Sequence, residues 1–192
     1  GISHQDAMDY AIVGCVELTT QGNNLGWSDA AMFNLNKVLE LTLHHGRCLL
    51  TKQQLGPDLG GLDTYESYEE LECAFDAMID HFLQRMIPAC EEVEKAHIDI
   101  LPSPFLSSVI DDCMEQGMDV TRGGAHYNLS GIQMIQVANL ADSLAAIKAL
   151  VYEKKSVTGE ALQHALEHNF AHDEMLRQLH IPHGLKGIDD TS

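Results

Sequence analysis

The first apolar run, Tyr10 to Val13, is short and reads as a buried strand. It stops at Gly14, where the backbone can turn tightly. Gly22 to Gly26 (G-N-N-L-G) is a turn-rich loop. Ser28 then stands as the N-cap of a helix that places Met32, Leu35, Leu39 and Leu43 on one face and stops at Gly46. Arg47 to Thr51 predicts a short strand, and Leu55 to Asp63 a loop.

Ser67 and Glu70 have the spacing of a capping box. The long helix they open carries an apolar stripe through Leu71, Ala74, Met78, Phe82 and Met86, and Pro88 is expected to kink or break it. The acidic continuation, Glu91 to His97, reads as a solvated face. Ser103 and Pro104 occupy the cap and first-turn positions of another helix, closed by Gly117. After the G-G-A-H-Y-N-L-S-G segment (Gly123 to Gly131), a helical period resumes through Val137, Leu140, Leu144, Ile147 and Val151. A further helix starts at Thr158, and a last short one precedes Pro182. The pattern as a whole is α/β, mostly helical with two or three short buried strands.

Composition narrows the function classes. A formal charge of −18 argues against nucleic acid and anionic membrane surfaces, both of which need basic patches. No apolar run reaches membrane-spanning length. The five cysteines include no C-x-x-C pair and are odd in number, which fits a reduced, cytoplasmic setting.

The candidate chemistry follows Gly14. Cys15 and Glu17 lie two residues apart, so on an extended chain both side chains leave on one side. A nucleophilic cysteine wants a cation beside it to form thiolate. A carboxylate neighbour works the other way and keeps the sulfur as S–H. That pairing suits hydrogen-atom transfer beside a proton-transfer group. Free cysteines are more often small buried hydrophobes, and the other four are read so.

Four runs carry a resemblance: D-Y-A-I-V-G-C-V-E (Asp9 to Glu17), G-W-S-D-A-A-M-F-N-L (Gly26 to Leu35), G-G-A-H-Y-N-L-S-G (Gly123 to Gly131) and V-A-N-L-A-D-S-L-A-A-I-K (Val137 to Lys148). In this order they resemble the middle of a glycyl radical enzyme of the pyruvate formate-lyase-like family. The resemblance implies a barrel of ten strands surrounded by helices, with a finger loop carrying Cys15 at its tip, and residues 1–192 as a partial catalytic domain. It implies a glycyl radical as the cofactor, held outside this stretch and generated by an activating enzyme that uses S-adenosylmethionine and an iron–sulfur cluster. No cofactor is expected to bind the chain directly. The family's R-V-x-G-Y-like glycine loop does not occur before Ser192, and the start lacks Met, so the chain is expected to be an internal fragment that does not turn over alone.

Val16 stands where pyruvate formate-lyase proper resembles a second cysteine, and Cys-x-Glu is the pattern of the eliminating members. The Trp27 to Leu35 run looks most similar to the glycerol dehydratase type, in which an aspartate here binds a substrate hydroxyl; Asp29 falls on it. Leu18 and Ile132 stand where proline is frequent in that type and in the family. The resemblance thus implies catalytic Cys15 and Glu17, substrate-binding Asp29, and radical elimination of water from glycerol, propane-1,2-diol or a similar diol. A lyase breaking C–N, C–S or C–C bonds is the alternative within the class, and an inactive fragment or binding module the alternative outside it. Expected partners are the small substrate, the activating enzyme and a second copy of the chain, with a bacterial microcompartment as an alternative to free cytoplasm.

Asp29 also has a simpler reading, as helix-terminus electrostatics behind Ser28. His164, His168 and His172 share a helical face with metal-ligand spacing, with His180 or His183 near. Eleven histidines make such coincidences common, and the flanking residues read as an exposed helix, so no metal is expected. Gly123 and Gly124 lack the G-K-S/T that would make a phosphate loop and read as a turn.

Overall fold

The computed structural model describes residues 1–15, 17–171 and 176–177. The chain forms two compact units, Gly1–Phe33 with Met86–Gln133, and Asn34–Arg85 with the stretch from Met134 onward.

The first unit begins with α1 (His4–Met8), capped by Ser3, whose hydroxyl accepts the Asp6 N–H. Next come β1 (Tyr10–Val13) and β2 (Glu17–Thr20), paired antiparallel in the register Tyr10 with Thr20, Ala11 with Thr19, Ile12 with Leu18 and Val13 with Glu17. The run read as a buried strand is therefore one arm of a two-stranded ribbon. It is not buried: Ile12 is 56% exposed and Leu18 opposite it 72%. Asp6 anchors the base of the ribbon. Its carboxylate accepts the Tyr127 hydroxyl at 2.6 Å and the Asn23 amide at 3.1 Å. The Ser3 and Tyr127 hydroxyls hold the Asp6 carboxyl below its ordinary range.

The stretch read as a loop and a helix start is instead a strand, β3 (Asn24–Asn34), which pairs with β4 (Tyr127–Ile135). Alanine and methionine in the 30–32 stretch favour a helix, but pairing with β4 overrides that local preference. Ser28 is thus a strand residue. The N-cap of α2 (Leu35–Leu43) is Asn34, whose side chain accepts the Lys37 N–H at 2.9 Å.

The remaining core of this unit is Cys113, Val120 and Ala125, with Leu25 and Ile110 packed against it. Asp119 organises the polypeptide around that core. Its carboxylate accepts N–H groups from Ser103 at 3.0 Å and Thr121 at 2.9 Å, and hydroxyls from Ser107 at 2.9 Å and Thr121 at 2.7 Å. The predicted single helix from Pro104 to Gly117 is two short ones, α4 (Pro104–Ser107) and α5 (Cys113–Gln116). Pro104 is in the first turn and Gly117 is left-handed at the C-cap, so both end signals hold.

In the second unit α2 packs against α6 (Val137–Ile147). Leu39, Leu41, Leu43, Leu62, Leu71, Met78, Ile147, Leu150 and Leu162 have almost no exposed surface. No strand forms over Arg47 to Thr51; that stretch turns back so that Arg47 bridges Gln54. The loop Leu55 to Asp63 is confirmed, and its end is tied to α7 (Gly159–Glu167) by the Asp63 N–H donating to Gln163 at 3.0 Å. Thr158 caps α7 as expected. A π-helical segment, Lys148–Glu153, continues α6. The helix expected before Pro182 lies outside the described residues.

Helix α3 (Tyr68–Ile100) runs unbroken through Pro88, contrary to expectation. Proline removes one N–H bond and costs about 3 kcal/mol in a helix interior. Burial of Leu71, Ala74, Phe75 and Met78 before it, and side-chain anchoring after it, outweigh that loss. After Pro88, the Cys90 thiol approaches the Ala30 carbonyl at 3.9 Å and His97 meets Trp27 edge-on at 4.7 Å between ring centroids. Glu94 accepts the Ser130 hydroxyl, so the acidic segment is solvated on one side only.

Candidate functional site

The ribbon turns at Gly14 and Cys15. Gly14 has φ +60°, a left-handed conformation that glycine adopts without strain. A Cβ at Gly14 would collide with the Glu17 carboxylate. Glycine is thus required twice, for the turn and for the space the carboxylate fills.

Cys15 is exposed at the tip. The chain does not stay extended there, so the simple two-residue alternation does not apply. What joins the residues is the backbone: the Cys15 N–H donates to Glu17 Oε2 at 2.7 Å. The other carboxylate oxygen, Oε1, accepts the side-chain amide of Gln133, which arrives on β4 from 116 residues away. Glu17 is half-buried and Gln133 likewise. A thiol and an oriented carboxylate therefore share one turn, with both carboxylate oxygens held by N–H donors.

Gln133 was not among the expected site residues. The signal was faint: on a strand, Leu129, Gly131 and Gln133 alternate onto one side, so Gln133 follows the last glycine of the quoted run. Only the folded chain brings it to Glu17.

Asp29 lies in the middle of β3 and is exposed. With no helix starting at Ser28, the helix-terminus explanation for Asp29 falls away. Among the other cysteines, Cys113 is buried and its thiol is pushed up by that burial. Cys48 is buried too, but the Thr51 hydroxyl, the N–H groups of Thr51 and Leu50, and Lys37 together outweigh burial and lower its thiol. His164 and His168 stack at 4.2 Å between ring centroids, while His172, His180 and His183 lie outside the described residues. Among the described residues no three His, Cys, Asp or Glu side chains are placed to hold a metal ion. Gly123 is left-handed after a 3-10 turn (Val120–Arg122), and a Cβ on Gly124 would strike the Met118 carbonyl, so the pair is a close-packed turn.

A family model described as pyruvate formate lyase-like matches residues 1–183. The chain belongs to the pyruvate formate lyase-like family. Within that family, it is 40% identical over 179 residues to the (2S)-3-sulfopropanediol dehydratase of Klebsiella oxytoca, covering 93% of this chain and 22% of that protein. It is 35% identical to the trans-4-hydroxy-L-proline dehydratase of Clostridioides difficile, covering 93% of this chain and 23% of that protein. The glycerol-bound B12-independent glycerol dehydratase from Clostridium butyricum superposes with a TM-score of 0.87 at 37% identity, over 93% of this chain and 22% of that one. The chain thus spans less than a quarter of the length of these family members. The resemblance carried by the four runs holds for the family.

Proposed function

We propose that this chain is part of a glycyl radical enzyme that eliminates water from a small diol, with glycerol or propane-1,2-diol as the leading substrates. One observation carries the reading: an exposed thiol, Cys15, stands at the tip of a ribbon whose own N–H fixes the Glu17 carboxylate beside it. Similarity to several dehydratases supports the reaction class. The ribbon serves as the finger loop of a ten-stranded barrel, in keeping with β-strands whose apolar side chains are left open here. A closed, dry cavity around that tip protects the radical steps.

The exposed thiol is a fitting partner for a glycyl radical, which would supply the one-electron oxidation by taking the hydrogen atom of the Cys15 S–H. A radical S-adenosylmethionine activating enzyme is the partner that generates it. Oxidised Cys15 then takes a hydrogen atom from a hydroxyl-bearing substrate carbon, so that an S–H bond forms as the C–H bond breaks. Glu17 accepts the proton of that carbon's hydroxyl. The neighbouring hydroxyl leaves as water with this proton, and the product radical recovers its hydrogen atom from Cys15. Asp29 is the substrate-hydroxyl ligand.

The test uses the full-length protein carrying this segment, activated without oxygen. Cys15→Ser abolishes turnover, because an O–H is a far poorer hydrogen-atom partner than S–H. Glu17→Gln keeps substrate binding and loses a factor on the order of 10²–10⁴ in rate. Near-normal turnover of Glu17→Gln would remove Glu17 from the mechanism, and products of C–N, C–S or C–C cleavage would replace the dehydratase assignment.

A further inference from the structure

Within the proposed reaction Glu17 must exist in two forms: carboxylate before it takes the hydroxyl proton, and carboxylic acid until that proton leaves with water. The groups holding it have to suit both. The Cys15 N–H can only donate, and it occupies Oε2. The group on Oε1 is the Gln133 amide.

An amide differs from the other donors that could hold a carboxylate. A lysine or arginine in this place would stabilise only the charged form and resist protonation. An apolar residue would take from Oε1 the donor that Gln133 supplies in a half-buried setting. The glutamine side chain carries both an NH₂ donor and a carbonyl acceptor. It donates to the carboxylate, and after rotation about its last torsion it accepts from the carboxylic acid O–H. It does so without a formal charge at any stage.

We infer that Gln133 is the positioning residue of this site, orienting Glu17 and accommodating both its protonation states. The inference rests on Glu17 being the proton-transfer group. It adds that a strand far away in sequence, β4, sets where that group stands, through one side chain that acts by way of the Glu17 carboxyl. Gln133 is half-buried on its strand, and its partner on β2 is fixed by the ribbon register, so the pair is held from both sides.

The experiment compares Gln133→Leu, Gln133→Glu and Glu17→Gln in the full-length protein carrying this segment, each activated to a measured glycyl radical yield. Radical yield, read by electron paramagnetic resonance, reports folding and activation independently of turnover. Gln133→Leu should keep the yield, lower kcat about 10- to 100-fold and change KM less than about threefold, as expected of a lost orienting bond. Gln133→Glu sets a second carboxylate against Glu17, so the acidic limb of the kcat/KM profile should move to higher pH. Normal kcat and an unmoved pH limb in both Gln133 variants, with Glu17→Gln inactive, overturns the role of Gln133 and leaves the reaction standing. A near-normal Glu17→Gln overturns the underlying reading instead. Radical yield lost in Gln133→Leu and Gln133→Glu alike makes Gln133 a folding residue, and the inference fails.

Discussion

The Cys15 N–H and the Glu17 Oε2 are 2.7 Å apart, and the bond between them closes the turn from which the thiol projects. The contact uses the backbone of Cys15, so replacing the sulfur leaves the carboxylate's orientation untouched. That separation makes Cys15→Ser a clean probe of hydrogen-atom chemistry.

The same turn yields a prediction about Gly14. Gly14→Ala places a methyl group where the Glu17 carboxylate sits, and it adopts a left-handed φ at a cost of about 1–2 kcal/mol. Gly22→Ala incurs the backbone strain alone, since Gly22 has φ +75° and no atom within 4 Å of an added Cβ. Turnover of the activated full-length protein should fall on the order of 10²-fold for Gly14→Ala, the scale of a misplaced catalytic group. Gly22→Ala should stay near the parent rate. Equal rates for the two variants would mean that the carboxylate position does not matter.

A second prediction concerns Asp119. Burial raises its carboxyl, but the Thr121, Ser103 and Ser107 donors outweigh this and bring it from 3.8 down to about 2. A lowered folded-state pKa means the stabilisation is complete above about pH 4 and is lost as pH falls from there toward about 2. Asp119→Asn removes charge-assisted bonds each worth roughly 1.5–3 kcal/mol. At pH 7 the amides of Ser103 and Thr121 should therefore exchange with solvent at least about tenfold faster in the variant. The gap between variant and parent should close as pH drops through that window. A gap that persists at low pH would contradict the assignment.

Much of the second unit was legible in the sequence because its signals are local. Thr158 caps α7, and the Ser67 hydroxyl accepts the Glu70 N–H at 3.2 Å, the first half of the expected capping box. The second half is displaced by one residue: Glu70 accepts from the Glu66 N–H at 2.9 Å. Leu35, Leu39 and Leu43 fall on a buried helical face as their spacing requires. The first unit was less legible because non-local pairing decides it. Ala30, Ala31 and Met32 favour a helix, and only β4, about a hundred residues later, makes them a strand. The site followed the same division. Cys15 and Glu17 announced themselves as neighbours, whereas Gln133 had no local signal that could aim it at Glu17.

The third prediction follows from apolar side chains that the strands leave open. Tyr10, Ile12, Val13, Leu18, Met32, Leu129 and Met134 are all exposed. Two-stranded sheets with uncovered apolar faces are marginal by themselves. The isolated 192-residue chain should show strong helical circular dichroism from α2, α3, α6 and α7, bind a dye specific for exposed apolar surface, and melt over a broad range. A sharp cooperative melt without dye binding would show that the strands need no further partner.

The four-rung pairing of β1 with β2 also acts as a ruler. Each rung advances the chain about 3.4 Å, so the sulfur is carried outward by a distance counted in residues. Removing one rung from both arms would draw Cys15 back by about 3.4 Å and turn every side chain between the deletion and the tip to the opposite face. Removing two would restore the faces and leave the thiol about 7 Å short. Reach and facing are thus quantised together, and a ribbon that presents its thiol correctly can change length only in even steps.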